Sequence, residues 1–219
     1  MLKEQWRTNL VGCLATALFN EHCGIFDLFE TRKKVFRPDE LPDDTSAIIF
    51  WGGGDINPLL YGQKPIEISY GVDRWRDTFE LDLVAHALKK GIPMIGICRG
   101  AQLLCTVAGG TLFQHVNGHA IGKMHEIEDK DGRKLKVTSL HHQMLNLEGT
   151  EHELIAWAAP NLSDVYLTDM GQVKGPEKEP EVVWFPVIKS LCIQGHPEYL
   201  VDEHEFVKYS MELVEKYIK

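Results

Sequence analysis

The stretch that decides the fold is Gly91-Ile92-Pro93-Met94-Ile95-Gly96-Ile97-Cys98-Arg99-Gly100-Ala101-Gln102. Met94 to Ile97 has the length and apolar character of a buried strand, and the residues after Cys98 predict a buried helix that ends at Gly109-Gly110. Cys98 is therefore expected at a strand-to-helix corner. The flanking pattern Gly-x-Cys-x-Gly permits the sharp turn of a nucleophile elbow. A cysteine buried at the end of a core strand is the alternative interpretation.

Two sets of backbone N–H groups favour the reactive interpretation of this cysteine. Those that begin the helix after Cys98 have no acceptor within the helix, so they can donate to an oxyanion, and the helix dipole favours a thiolate. The turn Trp51-Gly52-Gly53-Gly54-Asp55 directly follows another predicted buried strand, Ala47-Ile48-Ile49-Phe50. We predict that N–H groups of this turn form the second half of an oxyanion hole. The alternative interpretation of the glycines is an ordinary tight turn.

A histidine far along the chain supplies the matching base. In Gln194-Gly195-His196-Pro197-Glu198, the proline disfavours helical backbone at His196, and Glu198 can accept the ring N–H. A carboxylate in this place fixes the tautomer and stabilises the imidazolium that a base serving Cys98 requires. We therefore predict a triad of Cys98, His196 and Glu198. In α/β-hydrolases the acid precedes the histidine, so this order disfavours that fold.

The remaining pattern predicts the fold class. Asp73 to Lys90 is an amphipathic helix closed by Gly91, Lys134 to Thr138 is a half-exposed strand, and Asn9 to Leu18 is a strand or a helix. We expect an α/β fold, a flavodoxin-like doubly wound, mostly parallel sheet with helices on both faces and a small antiparallel element. The whole chain, residues 1–219, is expected to form a single domain.

Two charged segments are expected to lie in solvent. Arg76 and Glu80 are spaced i, i+4 on the predicted helix, and a solvated pair of this kind contributes about 0.3–0.5 kcal/mol. Pro176-Glu177-Lys178-Glu179-Pro180 reads as a solvated charged loop.

Three histidines, His115, His119 and His125, raise the question of a metal site. Gly118 works against a helix that would hold the first two on one face, and no acidic residue stands at a recognisable ligand spacing. We therefore expect no metal.

Composition limits the class of partner and the compartment. The 219 residues are 44% hydrophobic, and 23 Lys+Arg against 32 Asp+Glu give a formal charge of −9, which disfavours nucleic acid. No apolar run approaches membrane-spanning length, and Met1 to Trp6 is too polar for a signal peptide. The five cysteines form no CxxC pair, which is typical of a reducing compartment. Cytoplasm is the expected location.

Taken together and in order, the motifs resemble the class I glutamine amidotransferases and, more closely, the gamma-glutamyl-gamma-aminobutyrate hydrolase group of cysteine hydrolases. The resemblance runs from Ile49 to Glu198. Its anchors are the glycine-rich turn with Ile56-Asn57-Pro58, Arg76-Asp77-x-x-Glu80, the cysteine elbow, Gly109-Gly110-Thr111-Leu112-x-Gln114-His115, Ser139-Leu140-His141-His142-Gln143 and His196-Pro197-Glu198. The chain departs from the group at Gly195, where a tryptophan is common, and this is expected to open the pocket beside His196.

The resemblance implies a function for each motif. Cys98 would be the nucleophile, His196 the general base and then acid, and Glu198 its orienting partner. The oxyanion hole would be formed by N–H groups of Gly53, Gly54 and Arg99. Substrate contacts would come from Gln102 and, through backbone atoms, from Ser139, Leu140, His141 and His142. The implied reaction is hydrolysis of a γ-glutamyl amide through a glutamyl thioester, and it needs no cofactor.

Three hypotheses about function remain at this point. The first is a free-standing hydrolase that acts on a small-molecule γ-glutamyl substrate whose leaving amine the sequence does not identify. The second is a glutaminase subunit that delivers ammonia to a separate synthetase partner. The third is an inactive binding module, which the joint presence of Cys98, His196 and Glu198 disfavours. The sequence is compatible with an oligomer, and its acidic charge and short apolar runs predict neither a nucleic-acid nor a membrane partner.

Overall fold

A nine-stranded sheet forms the centre of the protein. The structure is a computed structural model that describes residues 10–17 and 23–218. Five strands are parallel to one another, in the spatial order β2, β1, β3, β4 and β14. Their bounds are Leu10–Ala17 for β1, Phe29–Val35 for β2, Thr45–Phe50 for β3, Met94–Ile97 for β4 and Ser190–Ile193 for β14.

Four antiparallel strands extend the sheet beyond β14, in the order β13, β10, β7 and β8. They are β7, Met124–Asp129; β8, Lys134–Thr138; β10, Glu153–Ala158; and β13, Pro180–Phe185. The predicted antiparallel element is thus present, but it continues the main sheet. Two small separate sheets complete the described strands: β5, Thr111–Phe113, pairs with β9, Met144–Asn146, and β11, Tyr166–Thr168, lies between β6, His115–Val116, and β12, Gly171–Gln172.

Three α-helices within the described residues cover the two faces of the sheet. They are α1, Arg74–Lys90; α2, Arg99–Val107; and α3, Glu205–Tyr217. Alternate residues of one strand point to opposite faces, so Ile48 packs with α1 and α2 whereas Ile49 packs with α3. This is the predicted α/β architecture, a mostly parallel core with helices on both faces.

The sequence left open whether Asn9 to Leu18 forms a strand or a helix, and its described part is a strand. Residues 10–17 form β1, and the remainder of the Asn9 to Leu18 prediction lies outside the described residues. A short 3-10 helix, Gly24–Leu28, precedes β2, and a second, Pro38–Glu40, lies between β2 and β3. Among the described residues, no helix has the length and apolar character to span a membrane.

Candidate active site

Cys98 lies at the corner predicted between β4 and α2. Its backbone angles, φ 49° and ψ −106°, fall where side chains are rarely found, and such strain is typical of functional corners. The corner depends on Gly100, where an added Cβ would lie 2.2 Å from the carbonyl oxygen of Phe50. At Gly96 it would lie 2.6 Å from the backbone nitrogen of Ala101. Neither position accepts a larger residue, because backbone atoms occupy the space.

His196 joins Cys98 to Glu198. Its ring hydrogen-bonds with the Cys98 side chain, and its Nδ1 lies 2.7 Å from Oε1 of Glu198. Glu198 reaches the ring from the short 3-10 helix Pro197–Tyr199, which directly follows His196. The structure therefore brings the three residues of the predicted triad together.

Two neighbours fix the plane of the His196 ring. The Tyr199 ring stacks on it, with centroids 4.7 Å apart and an angle of 4° between the planes. Gly52 lies so close that a Cβ there would be 2.4 Å from Cε1 of His196. The first glycine of the glycine-rich turn therefore makes room for the imidazole.

The charge of His196 follows from its partners. Burial disfavours the charged ring, but hydrogen bonds with Cys98 and Glu198 outweigh this and raise the pKa of His196 from 6.5 to about 10. The ring is consequently an imidazolium at neutral pH. A positive ring in contact with the sulfur stabilises a thiolate.

The N–H groups predicted for the oxyanion hole come from the glycine-rich turn and from the start of α2. Gly53, with φ +155°, lies where a Cβ would be 2.2 Å from Nη1 of Arg76. Gly54 is equally crowded, since a Cβ there would be 2.3 Å from the carbonyl oxygen of Gly71. Arg99 is the first residue of α2, so its N–H has no acceptor within the helix. Their role as an oxyanion hole stays a prediction.

A buried ionic network holds this turn against the elbow. Arg76 donates to the carbonyl oxygens of Trp51 and Gly52 at 2.7 and 2.9 Å, and its Nε lies 2.9 Å from Glu80. The guanidinium of Arg99 binds both Glu80 and Asp77. Glu80 is fully buried. The prediction of a solvated Arg76–Glu80 pair is wrong, because this face of α1 packs against the helix that carries the elbow.

The segment predicted to bind substrate begins beside His196. The backbone N–H of His196 donates to Oγ1 of Thr138 at 2.6 Å, and Ser139 follows as a fully buried residue. Leu140 is 44% exposed, whereas His141 is buried. His142 lies 2.9 Å from Asp55, at the end of the glycine-rich turn. These contacts place the segment between the histidine and the turn, and its substrate contacts stay a prediction.

Gln102 is buried and faces the same segment. Its amide nitrogen lies 3.4 Å from the carbonyl oxygen of Gln143, and the amide of Gln194 lies 3.3 Å from the same oxygen. Gln194 and Thr138 were missed by the sequence analysis. Gln194 directly follows β14, the strand beside β4, and this position was the available signal. Thr138 ends β8 at the far edge of the sheet, where strand position gave no signal.

The space beside His196 differs from expectation. A Cβ at Gly195 would meet the ring of Phe206 at 2.9 Å. Phe206, from α3, is fully buried there. The prediction that the glycine opens the pocket is wrong, because an aromatic ring from another element occupies the space.

The histidines considered for a metal site divide into two groups. His115 lies beside His142, with Nδ1 atoms 3.5 Å apart, and takes no part in the second group. His119 and His125 meet His141 in the interior, with ring centroids of His119 4.7 Å from His141 and 5.1 Å from His125.

Two buried glutamates complete this second group. Glu179 and Glu181 are both buried, so the prediction that Glu179 lies in a solvated loop is wrong. Glu179 accepts hydrogen bonds from the Tyr166 hydroxyl and from the N–H groups of Leu162 and Ser163. It also contacts Nε2 of His119. Burial opposes a charge on His119, but the nearby carboxylates of Glu179 and Glu181 outweigh this and raise its pKa. The sequence signal for this group is Glu181, an acidic residue within the otherwise apolar strand β13.

Comparison with known proteins places this arrangement in a family. The sequence profile described as Peptidase C26 matches residues 34–165, a range that includes Cys98 and ends before His196. The chain belongs to the Peptidase C26 family.

Two relatives of this chain are both named as putative glutamine amidotransferases. A Mycobacterium tuberculosis protein named as a putative glutamine amidotransferase is 33% identical over 125 residues, which are 49% of this chain and 41% of that protein. A Schizosaccharomyces pombe protein with the same description is 27% identical over 192 residues, 82% of this chain and 71% of that one. The chain thus spans less than half of the mycobacterial relative.

A solved structure confirms the fold of this Peptidase C26 member. The structure of PurLQS from Thermotoga maritima superimposes with a TM-score of 0.57, covering 96% of this chain and all of that one at 17% identity. At this level of identity the likeness concerns architecture alone.

The buried network generates a stability prediction. Glu80→Gln leaves two buried guanidiniums without their shared carboxylate, and we expect a loss of about 3–5 kcal/mol in the free energy of unfolding. The matched control is Glu212→Gln, because Glu212 pairs with Arg133 at 2.7 Å on the surface and should contribute about 0–1 kcal/mol. Urea denaturation measures both. Equal losses in the two variants would contradict the role given to the network.

The His196 imidazolium generates a prediction about pH. Iodoacetamide should alkylate Cys98 at pH 7 about 10–30-fold faster in the wild type than in His196→Gln, where no imidazolium stabilises the thiolate. The ring loses its proton as the pH rises through about 10, so the advantage should disappear there. Mass spectrometry quantifies the adduct.

Two further features make the alkylation readout specific. Burial raises the pKa of Cys23 and Cys105 to about 12 and raises that of Cys192, so these thiols should not compete. His152→Gln, at an exposed histidine, is the control and should react as the wild type does. If Cys98 were alkylated at pH 7 equally fast in the wild type and in His196→Gln, an ion pair between Cys98 and His196 would be excluded.

Proposed function

We propose that the protein hydrolyses a γ-glutamyl amide bond by way of a glutamyl thioester. The observation that carries this proposal is the His196 ring, which contacts both the Cys98 side chain on a strained elbow and the carboxylate of Glu198. Membership of the Peptidase C26 family supports a cysteine amidohydrolase or amidotransferase chemistry. We place the chain nearest the gamma-glutamyl-gamma-aminobutyrate hydrolase group on the motifs around these residues.

The first half of the reaction forms the thioester. The Cys98 thiolate attacks the amide carbon, and the carbonyl oxygen becomes an oxyanion that accepts hydrogen bonds from N–H groups of Gly53 and Arg99, with Gly54 as a further donor. The His196 imidazolium then gives its proton to the departing nitrogen, and the C–N bond breaks. Ammonia or an amine leaves, and the glutamyl group remains on sulfur.

The second half regenerates the enzyme. Neutral His196 takes a proton from water, which attacks the thioester carbon, and the same N–H groups stabilise the second oxyanion. Glutamate leaves and Cys98 recovers its thiolate form. Glu198 holds the ring tautomer throughout, since it accepts from Nδ1 and leaves Nε2 for the reacting groups.

Substrate orientation would come from the segment beside His196 and from α2. We assign contacts with the glutamyl group to Gln102 and contacts with its α-amino and α-carboxylate end to backbone atoms of Ser139, Leu140, His141 and His142. The support is positional: Thr138 binds the His196 backbone, and His142 binds Asp55 of the glycine-rich turn. Phe206 limits the space beside Gly195, so it restricts the direction in which a leaving amine can extend.

A second candidate function is a glutaminase subunit that passes ammonia to a synthetase. The names of the mycobacterial and fission-yeast relatives favour it, because an amidotransferase delivers the amide nitrogen to an acceptor. The chemistry at Cys98 would be the same in both cases. The two candidates differ in the substrate that the isolated protein accepts.

The deciding experiment is incubation of the purified protein with glutamine and with a panel of γ-glutamyl amines, following released glutamate. Turnover of γ-glutamyl amines by the isolated protein supports the hydrolase. Glutaminase activity that appears only after addition of a synthetase supports the second candidate. A glutamyl adduct on Cys98, trapped by acid quenching and found by mass spectrometry, is expected with either.

Variants of the triad give the quantitative prediction. Cys98→Ala should keep the fold and lower kcat about 10⁶-fold, the scale seen when a nucleophile is removed. Glu198→Gln should lower it about 10⁴-fold, because the tautomer is no longer held. Cys105→Ala, at a buried cysteine within α2, is the matched control and should retain turnover. Undiminished glutamate release by folded Cys98→Ala would refute the mechanism.

A further inference from the structure

The interior holds a polar cluster whose side chains the proposed reaction does not use. It consists of five residues, His119, His125, His141, Glu179 and Glu181, which we call the histidine–glutamate cluster. Their side chains are at most 3% exposed. Buried ionisable groups are costly unless they are paired or bind a metal. In the described part of the chain, neither glutamate pairs with a lysine or arginine.

Three atoms of this cluster converge at the separations of zinc ligands. Oε1 of Glu181 lies 3.1 Å from Nδ1 of His119 and 3.4 Å from Nε2 of His141. Two ligands of a tetrahedral zinc ion, each about 2.0–2.1 Å from the metal, are about 3.4 Å apart. The three side chains offer ligand atoms that all lie within 4.8 Å of one another. A single ion can therefore contact all three after small side-chain adjustments.

The other ring nitrogens have the partners expected of metal-bound histidines. Nε2 of His119 lies 2.9 Å from Glu179, and Nδ1 of His141 lies 2.9 Å from the carbonyl oxygen of Gln143. Ligating histidines usually donate their second N–H to a carboxylate or a backbone carbonyl, which fixes the tautomer. Nδ1 of His141 also lies 2.9 Å from the Gln194 amide nitrogen. When the outer nitrogens donate to Glu179 and Gln143, Nδ1 of His119 and Nε2 of His141 face Glu181 as ligand atoms.

Those inward-facing atoms lack hydrogen-bond partners. Among the described residues, Nδ1 of His119, Nε2 of His141 and Oε2 of Glu181 are buried and form no hydrogen bond. When Nδ1–H of His141 donates to the carbonyl oxygen of Gln143, Nε2 is the unprotonated nitrogen that faces Glu181. A cation between these atoms takes the place of a ring proton and bonds both imidazoles to the carboxylate.

We propose that His119, His141 and Glu181 bind one Zn²⁺ ion as a structural site. Imidazole and carboxylate ligands together suit zinc, whereas magnesium and calcium prefer oxygen ligands alone. Its double positive charge balances the carboxylates of Glu179 and Glu181. His125, whose Nε2 lies 2.9 Å from Oε1 of Glu181, is a hydrogen-bond donor to the ligating carboxylate. The ion joins the 139–143 segment to β13.

The first test measures zinc in purified protein grown with added zinc and dialysed against buffer. Elemental analysis should give about one zinc per chain for the wild type and for Cys98→Ala. Glu181→Gln and His119→Gln should lose the metal, and exposed His152→Gln, the control, should keep it. Less than a tenth of an equivalent in the wild type, or full retention in both cluster variants, would overturn the proposal. Retention by Cys98→Ala separates this result from any failure of the proposed reaction.

A second test uses the wild type alone and so does not depend on the folding of a variant. X-ray absorption at the zinc edge should show nitrogen and oxygen ligands at about 2.0–2.2 Å with imidazole scattering, and no sulfur at about 2.3 Å. A sulfur ligand would place the ion at a cysteine and refute the assignment. Zinc added to chelator-treated protein should also raise Tm, and magnesium at the same concentration should not.

Discussion

The close approach of three backbone segments around Cys98 is the constraint on which the rest of the site depends. The strained corner at Cys98 exists because Gly100 lets α2 begin against the end of β3, where a side chain would strike the Phe50 carbonyl. Gly52, the second residue beyond β3, then lies against the His196 ring. Strain of this kind costs about 1–3 kcal/mol, and it persists only where the surrounding structure enforces it. Here the enforcing elements are buried parallel strands on either side of β4.

Electrostatics reinforces that constraint. Glu80 is shared by Arg76, which holds the carbonyl groups of the glycine-rich turn, and by Arg99, which begins the helix after the cysteine. One buried carboxylate thus fixes both halves of the predicted oxyanion hole relative to each other. Buried ion pairs give little net stability but penalise any arrangement that breaks them. Preorganisation of N–H donors is the benefit that such a network brings to a site that must stabilise a negative charge.

Local pattern predicted the elements that carry chemistry, and it failed where the partner came from a distant part of the chain. The strand before Cys98, the helix after it and the bond between His196 and Glu198 all follow from residues a few positions apart. The burial of Glu80 depends on Arg99, nineteen residues later, and no spacing rule reports this contact. The same holds for Phe206, which fills the space beside Gly195. Family resemblance supplied order among motifs but not these contacts.

The segment from Thr138 to Gln143 connects the two polar centres of the molecule. Its first residue binds the backbone of His196, whereas His141 belongs to the histidine–glutamate cluster. The carbonyl oxygen of Gln143 lies 2.9 Å from Nδ1 of His141 and 3.4 Å from the amide nitrogen of Gln102. A shift of His141 therefore moves backbone atoms on which the proposed substrate contacts depend, because a close-packed interior transmits small displacements. Any effect of the cluster on the proposed chemistry would pass through the position of that backbone, and its own charges need not reach the reacting atoms.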